Sequence, residues 1–373
     1  MKYSNLLLAA LTATALTFTA CGGGDSDPTP PADETPAGGT TSTVLSGTIS
    51  ADKTLDASKA YEIKGLVLVK GATLTIPAGT TLFGAEGENY MVIAKGAKID
   101  AQGTAAKPIV FTSKTAHSGG TGAAGQWGGL TILGNAPVNE TMSYEVDENN
   151  ADFAFGGTMA ADNSGTLTHV KVLNSGYAVV ENKEINGLSL CGVGSGTTIN
   201  NITVENSQDD GVEIWGGTVD LDHVTIEGAQ DDSLDLDSGY TGTVSNLTIV
   251  QTGSKANAGI EMSSGDSATH YTNPTIRDFT ITTAAVNAEG GIYLKDKEVT
   301  GTFSNGTVNH TAATGSKGSI YVKKSMNNVD ELSFTNVTLN PATVTGKSDD
   351  PATTDVNEDN SDTVALVKAA AGV

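Results

Sequence analysis

NITVENSQDDGVEIW (201–215) runs through GGTVDLD into HVTIEGAQDDSLDLD (223–237), a second copy of itself displaced by 22 residues. Each copy opens on five residues that alternate apolar with polar, passes an aspartate doublet and enters a second alternating run. Alternation with period 2 marks a strand with one buried face. Two strands per copy at a fixed spacing describe a coil that repeats, because hairpins would need turn signals between the runs and would keep no such register.

The pattern extends both ways along the chain. NLTIV (246–250), DFTIT (278–282), NGTVN (305–309) and NVTLN (336–340) continue the first strand, and HVKVL (169–173) is an earlier copy without the threonine. The central threonines, Thr203, Thr225, Thr248, Thr280, Thr307 and Thr338, are 22, 23, 32, 27 and 31 residues apart. GLSLC (187–191), GIEMS (259–263), GIYLK (291–295) and SIYVK (319–323) continue the second strand, and VKGATLTI (69–76) and AKGAKIDA (94–101) repeat at 25 residues. Coils of this size that stack like on like predict an all-β, single-stranded parallel β-helix, with the longer spacings as insertions at turns.

Composition agrees. The 373 residues include 45 glycines and few aromatics, as expected for many short strands separated by tight turns. Lys and Arg number 20 against 43 Asp and Glu, a net charge of −23. Such a surface repels nucleic acid and anionic lipid head groups. Lys2 followed by the apolar run Leu6–Phe18 has the form of a secretory signal and is too short to span a membrane. Residues 22–43, rich in Gly, Pro, Thr, Ser and Asp, read as a tether without a core. The expected organisation is a leader at 1–21, the tether at 22–43, the β-helix at 44–345 and an acidic tail at 346–373 that closes the last coil.

The ending FTAC, with Cys21 last, resembles the lipobox of bacterial lipoproteins, which implies lipidation at Cys21. Cys191 is then without a disulfide partner. KGATLTIPAGTTLFG, KPIVFTS, QWGGLTILGNAPVN and the coil sequence from GVGSG onward resemble a family of right-handed parallel β-helix envelope lipoproteins of Bacteroidetes and other Gram-negative bacteria, with a pectin-lyase-like fold. That resemblance covers roughly residues 44 to 345 and implies a fold and a location, but no activity. Gly22, where an aspartate would favour inner-membrane retention, points to the outer membrane, at its cell-surface or periplasmic face. The expected membrane contact is the N-terminal lipid alone, and the expected state is a monomer.

Strand alternation sends Val212 and Ile214 into the coil and Glu213 and Trp215 outward. The same register turns Asp235 and Asp237, then Glu261 and Ser263, then Tyr293 and Lys295, and then Tyr321 and Lys323 to that exposed face. The doublets Asp209–Asp210 and Asp231–Asp232 stack at the turn before it. Three readings of this edge stand open. Asp209, Asp210, Asp231 and Asp232 hold Ca²⁺, a hard cation that takes six to eight oxygens, although no D-x-[DN]-x-[DN]-G motif is present. Alternatively the four are the acids and bases of a polysaccharide hydrolase or lyase, with Glu213 and Asp235 nearby, since QDDGVEI resembles the aspartate doublet of polygalacturonases. Against this second reading, the only arginine is Arg277, in TIRDF, and no Gly-His-Gly occurs. In the third reading they are solvated turn residues.

Glu213, Trp215, Asp235, Asp237, Glu261 and Tyr293 are the candidate ligand-binding residues, with Trp215 either a platform for a sugar ring or a residue packed under a neighbouring loop. Other signals carry less. The five histidines have no metal-ligand spacing, GVGSG (192–196) precedes no helix, and no G-x-S-x-G elbow occurs. Acids flanking the threonine column spoil it as a flat ice-binding face. Two insertions, 114–126 and the acidic 138–165, are candidate carriers of specificity. The expected function is a lipid-anchored envelope module for binding, scaffolding or adhesion to a glycan or another surface component, with the enzyme as alternative.

Overall fold

The structure, a computed structural model, describes residues 42–139, 142–180, 183–251, 253–264, 270–284, 289–311, 317–346 and 360–373. The leader with Cys21, nearly all of the tether and residues 347–359 of the tail lie outside the described residues. Among the described residues twenty-three strands join in one sheet system, and every pairing within it is parallel, coil on coil. The chain is a right-handed, single-stranded parallel β-helix with three sheet sides.

The spacings read from the sequence are its registers. Leu74 sits opposite Ile99. Thr203, Thr225, Thr248, Thr280, Thr307 and Thr338 pair one to the next along a single column. Lys171 precedes them opposite Thr203.

What the alternation alone does not reveal is a corner within each copy of the first strand. Strands such as Thr198–Glu205 and Leu221–Glu227 bend at one residue in the left-handed region: His169, Asn201, His223, Asn246, Asp278, Asn305 and Asn336, with φ between +49° and +55°. Asn, Asp and His are the non-glycine residues that tolerate this conformation. Their recurrence at the head of each repeat is the sequence trace of the corner. His169 and His223 are two of these corner residues. Some corner side chains also bond along the stack: Asn305 donates to Asp278 at 3.2 Å and Asn336 to Asn305 at 3.3 Å.

Inward residues from all three sides form one continuous core. Leu188, Val212, Leu234, Ile260, Ile292 and Ile320 make one of its columns, each 0% exposed. Stacking branched residues on one another buries them at ~1.5–3 kcal/mol per side chain, which is the main stabilising term in a chain whose Cys191 is free and buried. Size is complementary between coils. The Phe279 ring occupies the volume that a side chain at Gly306, its partner in the next coil, would fill.

Two appendages matter for the outer surface. The insertion after residue 138 folds as the antiparallel pair Met142–Ser143 and Ala154–Phe155 with two short 3₁₀ turns between. It lays Tyr144, Phe153 and Phe155 against Cys191 and Trp215. At the far end the helix Ser361–Ala371 seats Val364 and Val367 on the core, while Asn360 donates to the Val322 carbonyl at 2.8 Å. No helix among the described residues is long and apolar enough to cross a membrane.

The Phe279–Gly306 pair gives a direct test of the packing. A Cβ at 306 would lie 2.1 Å from the Phe279 ring. Gly306→Ala is therefore expected to cost about 1–3 kcal/mol by overpacking, visible as a lower melting temperature. Combining it with Phe279→Leu should recover part of the loss, and an unchanged melting point in Gly306→Ala would refute the packing.

Candidate functional site

The third side of the helix carries the acids. Its strands Leu188–Cys191, Val212–Trp215, Leu234–Asp237, Ala258–Met262, Gly290–Leu294 and Ile320–Val322 stack in register. Between the inward residues runs an outward column: Ser189, Glu213, Asp235, Glu261, Tyr293 and Tyr321. The direction expected from alternation is correct. The exposure is not: Glu213 is 8% exposed, Asp235 9%, Glu261 2% and Tyr293 4%.

Trp215 needs the same correction. It points out of the coil but is only 8% exposed, with the Tyr144 ring 5.8 Å away and the Phe155 ring 6.4 Å away. The 138–165 insertion covers it, so it has no open face for a sugar. Further along, Tyr293 and Tyr321 stack at 5.3 Å, with Lys323 over the first ring and Lys317 over the second. Of the candidate ligand-binding residues Asp237 alone is half-buried, and it accepts the Ser238 backbone N–H.

The doublets divide by position. Asp210 and Asp232, at 7% and 3% exposure, belong to a ladder of turn acceptors. Asn186 Oδ1 accepts the Asp210 N–H at 3.1 Å, Asp210 Oδ1 accepts the Asp232 N–H at 2.8 Å, and Asp232 Oδ1 accepts the Ala258 N–H at 2.5 Å. Each side chain satisfies a backbone donor of the next coil. The first aspartates differ, since Asp209 is half-buried and Asp231 exposed. Asn186 also donates to Glu213. Sequence reading missed Asn186, although it stands one coil before Asp210 in the same NG/DG/DS position.

Three groups of carboxylates converge: Asp209, Asp210 and Asp231; Asp210, Glu213 and Asp235; and Asp232, Asp235 and Glu261. In each group one oxygen per residue lies within 4.8 Å of the others. Burial, then repulsion from Asp209, Asp232 and Glu213, pushes Asp210 well above the ordinary carboxylate range. Burial and Asp235 do the same to Glu213. Burial, Glu261 and Asp235 raise Asp232, and burial and Glu261 raise Asp235. Asp209 is pushed up to about 7 by burial and by Asp231, Glu184 and Glu145, and Glu145 of the insertion to about 7 by burial and Glu184.

Among the described residues Lys295 is the ammonium that pairs with this column. It ion-pairs with the buried Glu261, and despite its own burial is held above the usual lysine range by that carboxylate. Alternation turns Lys295 outward in the sequence, but its pairing with Glu261 needed the register. Asp222, on another side, shows the opposite state. Burial is the largest single influence and raises it, but hydrogen bonds from Asn246 and Ser245 and contact with His223 together outweigh it and bring it to about 2.

Chemically the column can share protons or hold a cation, and among the described residues Glu213, Asp235 and Glu261 are each at most 9% exposed. A cleft of about 400 Å³ lies elsewhere, bordered by His310, Lys317, Asn340 and Thr343. None of the candidate acids borders it.

Comparison with known proteins gives the fold a family context. Residues 47–373 match the family model of the pectate-lyase-like β-helix domain. Among solved structures the enzymatically active domain of bacteriophage CBA120 tailspike protein 2 aligns at 12% identity, with a TM-score of 0.28 over 75% of this chain and 37% of that one. The chain thus spans well under half the length of that structure. No curated protein matches.

The raised carboxylates make stability depend on pH in a defined direction. An acid whose folded-state pKa lies above its unfolded value near ~4 stabilises the fold while protonated and loses that contribution as pH rises through the folded value. For Asp209 and Glu145 the window closes at about 7. With a chelator present, the melting temperature is expected to fall between about pH 5 and pH 8. Asp209→Asn should flatten the slope, and a melting temperature that climbs across this interval would overturn the burial-driven shift.

Proposed function

The chain belongs to the pectate-lyase-like β-helix domain family, and from that premise we propose that it is a binding and scaffolding module of the cell envelope, not a polysaccharide-degrading enzyme. The covered carboxylate column carries this reading. A glycosidase needs its two acids on either side of a bond that the sugar can enter, whereas Glu213, Asp235 and Glu261 are closed to solvent and Asp210 and Asp232 are engaged with backbone N–H groups of the following coil. What remains open is the ridged flank of a solenoid, the kind of extended surface on which such folds bind partners. The half-exposed to exposed threonine column from Thr203 to Thr338 offers hydroxyls at strand spacing on that flank, suited to an envelope glycan or another surface component.

The same reading includes lipidation at Cys21, membership of the envelope lipoproteins of Bacteroidetes and other Gram-negative bacteria, an outer-membrane location and a monomeric state. The leader pattern and the tether composition support the anchor. Calcium at the acidic edge of Asp209, Asp210, Asp231 and Asp232 is a stabiliser in this reading; oxygens of the first three lie within 4.8 Å of one another.

One observation favours the enzyme. Asp209 and Asp231 are the accessible members of their group, with one oxygen of each within 4.8 Å of the other, and a glycosidase works with two neighbouring carboxyl groups. Asp209, near 7, has the protonation a general acid needs at neutral pH.

A single screen separates the two. Purified protein is incubated with a panel of neutral and uronate polysaccharides, and both retention on the polymer and release of new chain ends are measured. Retention without cleavage, unchanged in Asp209→Asn and Asp231→Asn, is the expected outcome. Chain cleavage that disappears in those variants while the circular dichroism spectrum stays native would replace the binding reading with a hydrolase or lyase. Cys21→Ser should move the protein from the membrane to the soluble fraction on cell fractionation, and an unchanged distribution would remove the lipid anchor.

A further inference from the structure

We propose that the cleft where the strands Thr302–His310 and Ser333–Asn340 end binds one neutral sugar residue, the terminal unit of a glycan, with His310 as its central contact. The inference deepens the reading of the flank as a glycan-binding surface and rests on it. Two independent observations carry it. The first is the cleft itself, about 400 Å³ and lined mostly by polar side chains, a size within the ~300–1,000 Å³ of small-ligand sites. The second is a buried nitrogen. His310 is 3% exposed, its Nδ1 is bonded to Thr283 Oγ1 at 2.7 Å, and its Nε2 is buried without a hydrogen-bond partner among the described residues. A polar atom in that state calls for a ligand. Burial, against a raising influence of the Lys317 backbone, holds the ring below the ordinary histidine range. At neutral pH Nε2 therefore belongs to an uncharged imidazole, suited to a hydroxyl.

The stack explains why this nitrogen is left over. Gln251, Thr283 and His310 stand opposite one another in successive coils. In the next coil Asn340 stands opposite Asn309 and Pro341 follows, with no N–H and no polar side chain. Its carbonyl already accepts from Ser319 Oγ and the Thr343 N–H, so the polar column ends at the wall of the cleft. The other walls supply complementary groups. Thr343 Oγ1 accepts the Ser319 N–H at 3.1 Å and Thr345 Oγ1 the Gly318 N–H at 2.9 Å, and each hydroxyl keeps its proton to donate. Asn340 adds an exposed amide at the rim, two residues beyond the exposed Thr338 on the same outward face, so the threonine flank runs into the cleft. Charge decides the class of sugar. The Lys317 ammonium pairs with Glu289 and lies 4.4 Å from the centre of the Tyr321 ring. With that ammonium neutralised and a net charge of −23 on the chain, a uronate or a phosphate is disfavoured. Donors and acceptors without a spare charge fit the hydroxyls of a neutral hexose.

The test follows the histidine ring signals of the purified full-length protein by NMR while glucose, galactose, mannose, N-acetylglucosamine and, separately, galacturonate are added. His310→Gln identifies the His310 signal among the five histidines. At least one neutral sugar is expected to shift that signal saturably, and galacturonate is expected to leave it in place. Asn340→Ala, an exposed substitution that spares the core, should weaken binding of that sugar about three- to tenfold, as the loss of one neutral hydrogen bond gives. Thr225→Ala, on the same flank but remote from the cleft in the stack, should leave it unchanged. No shift with any of the neutral sugars would overturn the proposal, and a shift with galacturonate alone would overturn the choice of a neutral ligand. Weakening in Thr225→Ala with none in Asn340→Ala would move the contact to the threonine column. Retention on a polysaccharide without a His310 shift would remove the cleft and leave the glycan-binding reading standing, whereas a saturable shift without retention on any polymer would do the reverse.

Discussion

Everything in this molecule follows from the parallel, in-register stacking of one coil on the next. Backbone hydrogen bonds between equivalent positions fix the spacing near ~4.8 Å, and every position in the coil becomes a column. For apolar positions this is pure gain, because Leu188, Val212, Leu234 and Ile260 each meet a like neighbour above and below. For charged positions it is a liability. Two carboxylates about 5 Å apart repel by about 3 kcal/mol at an effective dielectric of about 20, and Glu213, Asp235 and Glu261 are held at that spacing by the same bonds that stabilise the core.

The chain meets that liability in three ways. Backbone donors come first: the turn before the third side leaves N–H groups that the next coil does not satisfy, and Asn186, Asp210 and Asp232 accept them. An acceptor is needed at that position whatever its charge, which explains why asparagine begins the ladder and aspartate continues it. Second is the Lys295 ammonium against Glu261. Third is protonation, favoured wherever burial removes water from a carboxylate that no cation reaches. Asp222 shows the opposite outcome in an equally regular column. Its stacked neighbours are Asn200 and Ser245 and not acids, and against the raising effect of burial the hydrogen bonds it accepts from Asn246 and Ser245 lower its carboxyl.

Most of the fold was legible because a solenoid writes its register into the spacing of its sequence. The runs at Thr203, Thr225 and Thr248 align at the intervals counted along the chain, and the inward and outward sets of GVEIW fall as alternation requires. Direction is a local property and can be read locally. Exposure is not, since it depends on what the rest of the chain lays on top. Trp215 and Glu213 were placed on the right side of the strand, but the hairpin that brings Tyr144 and Phe155 onto Trp215 comes from an insertion whose path no periodicity describes. The corner at Asn201 and its equivalents is intermediate. The residues recur visibly, but a positive φ leaves no mark on an apolar–polar pattern.

The extent of the acidic column has its own logic. It begins after Ser189 and ends before Tyr293, so three coils carry charge between a hydroxyl and an aromatic ring. Each added carboxylate repels all those below it, and the sum grows faster than the number of coils. A longer run would require a cation for every further acid. Lys295 reaches back from the coil of Tyr293 to the last of the three, Glu261, which leaves the two earlier acids as the uncompensated part. The turn ladder stops at the same place: Ala258 follows Asp232 and ends the line of acceptors in the coil that holds Glu261. Charge and its compensation are thus confined to one short segment of the helix, and the coils on either side are free to be neutral.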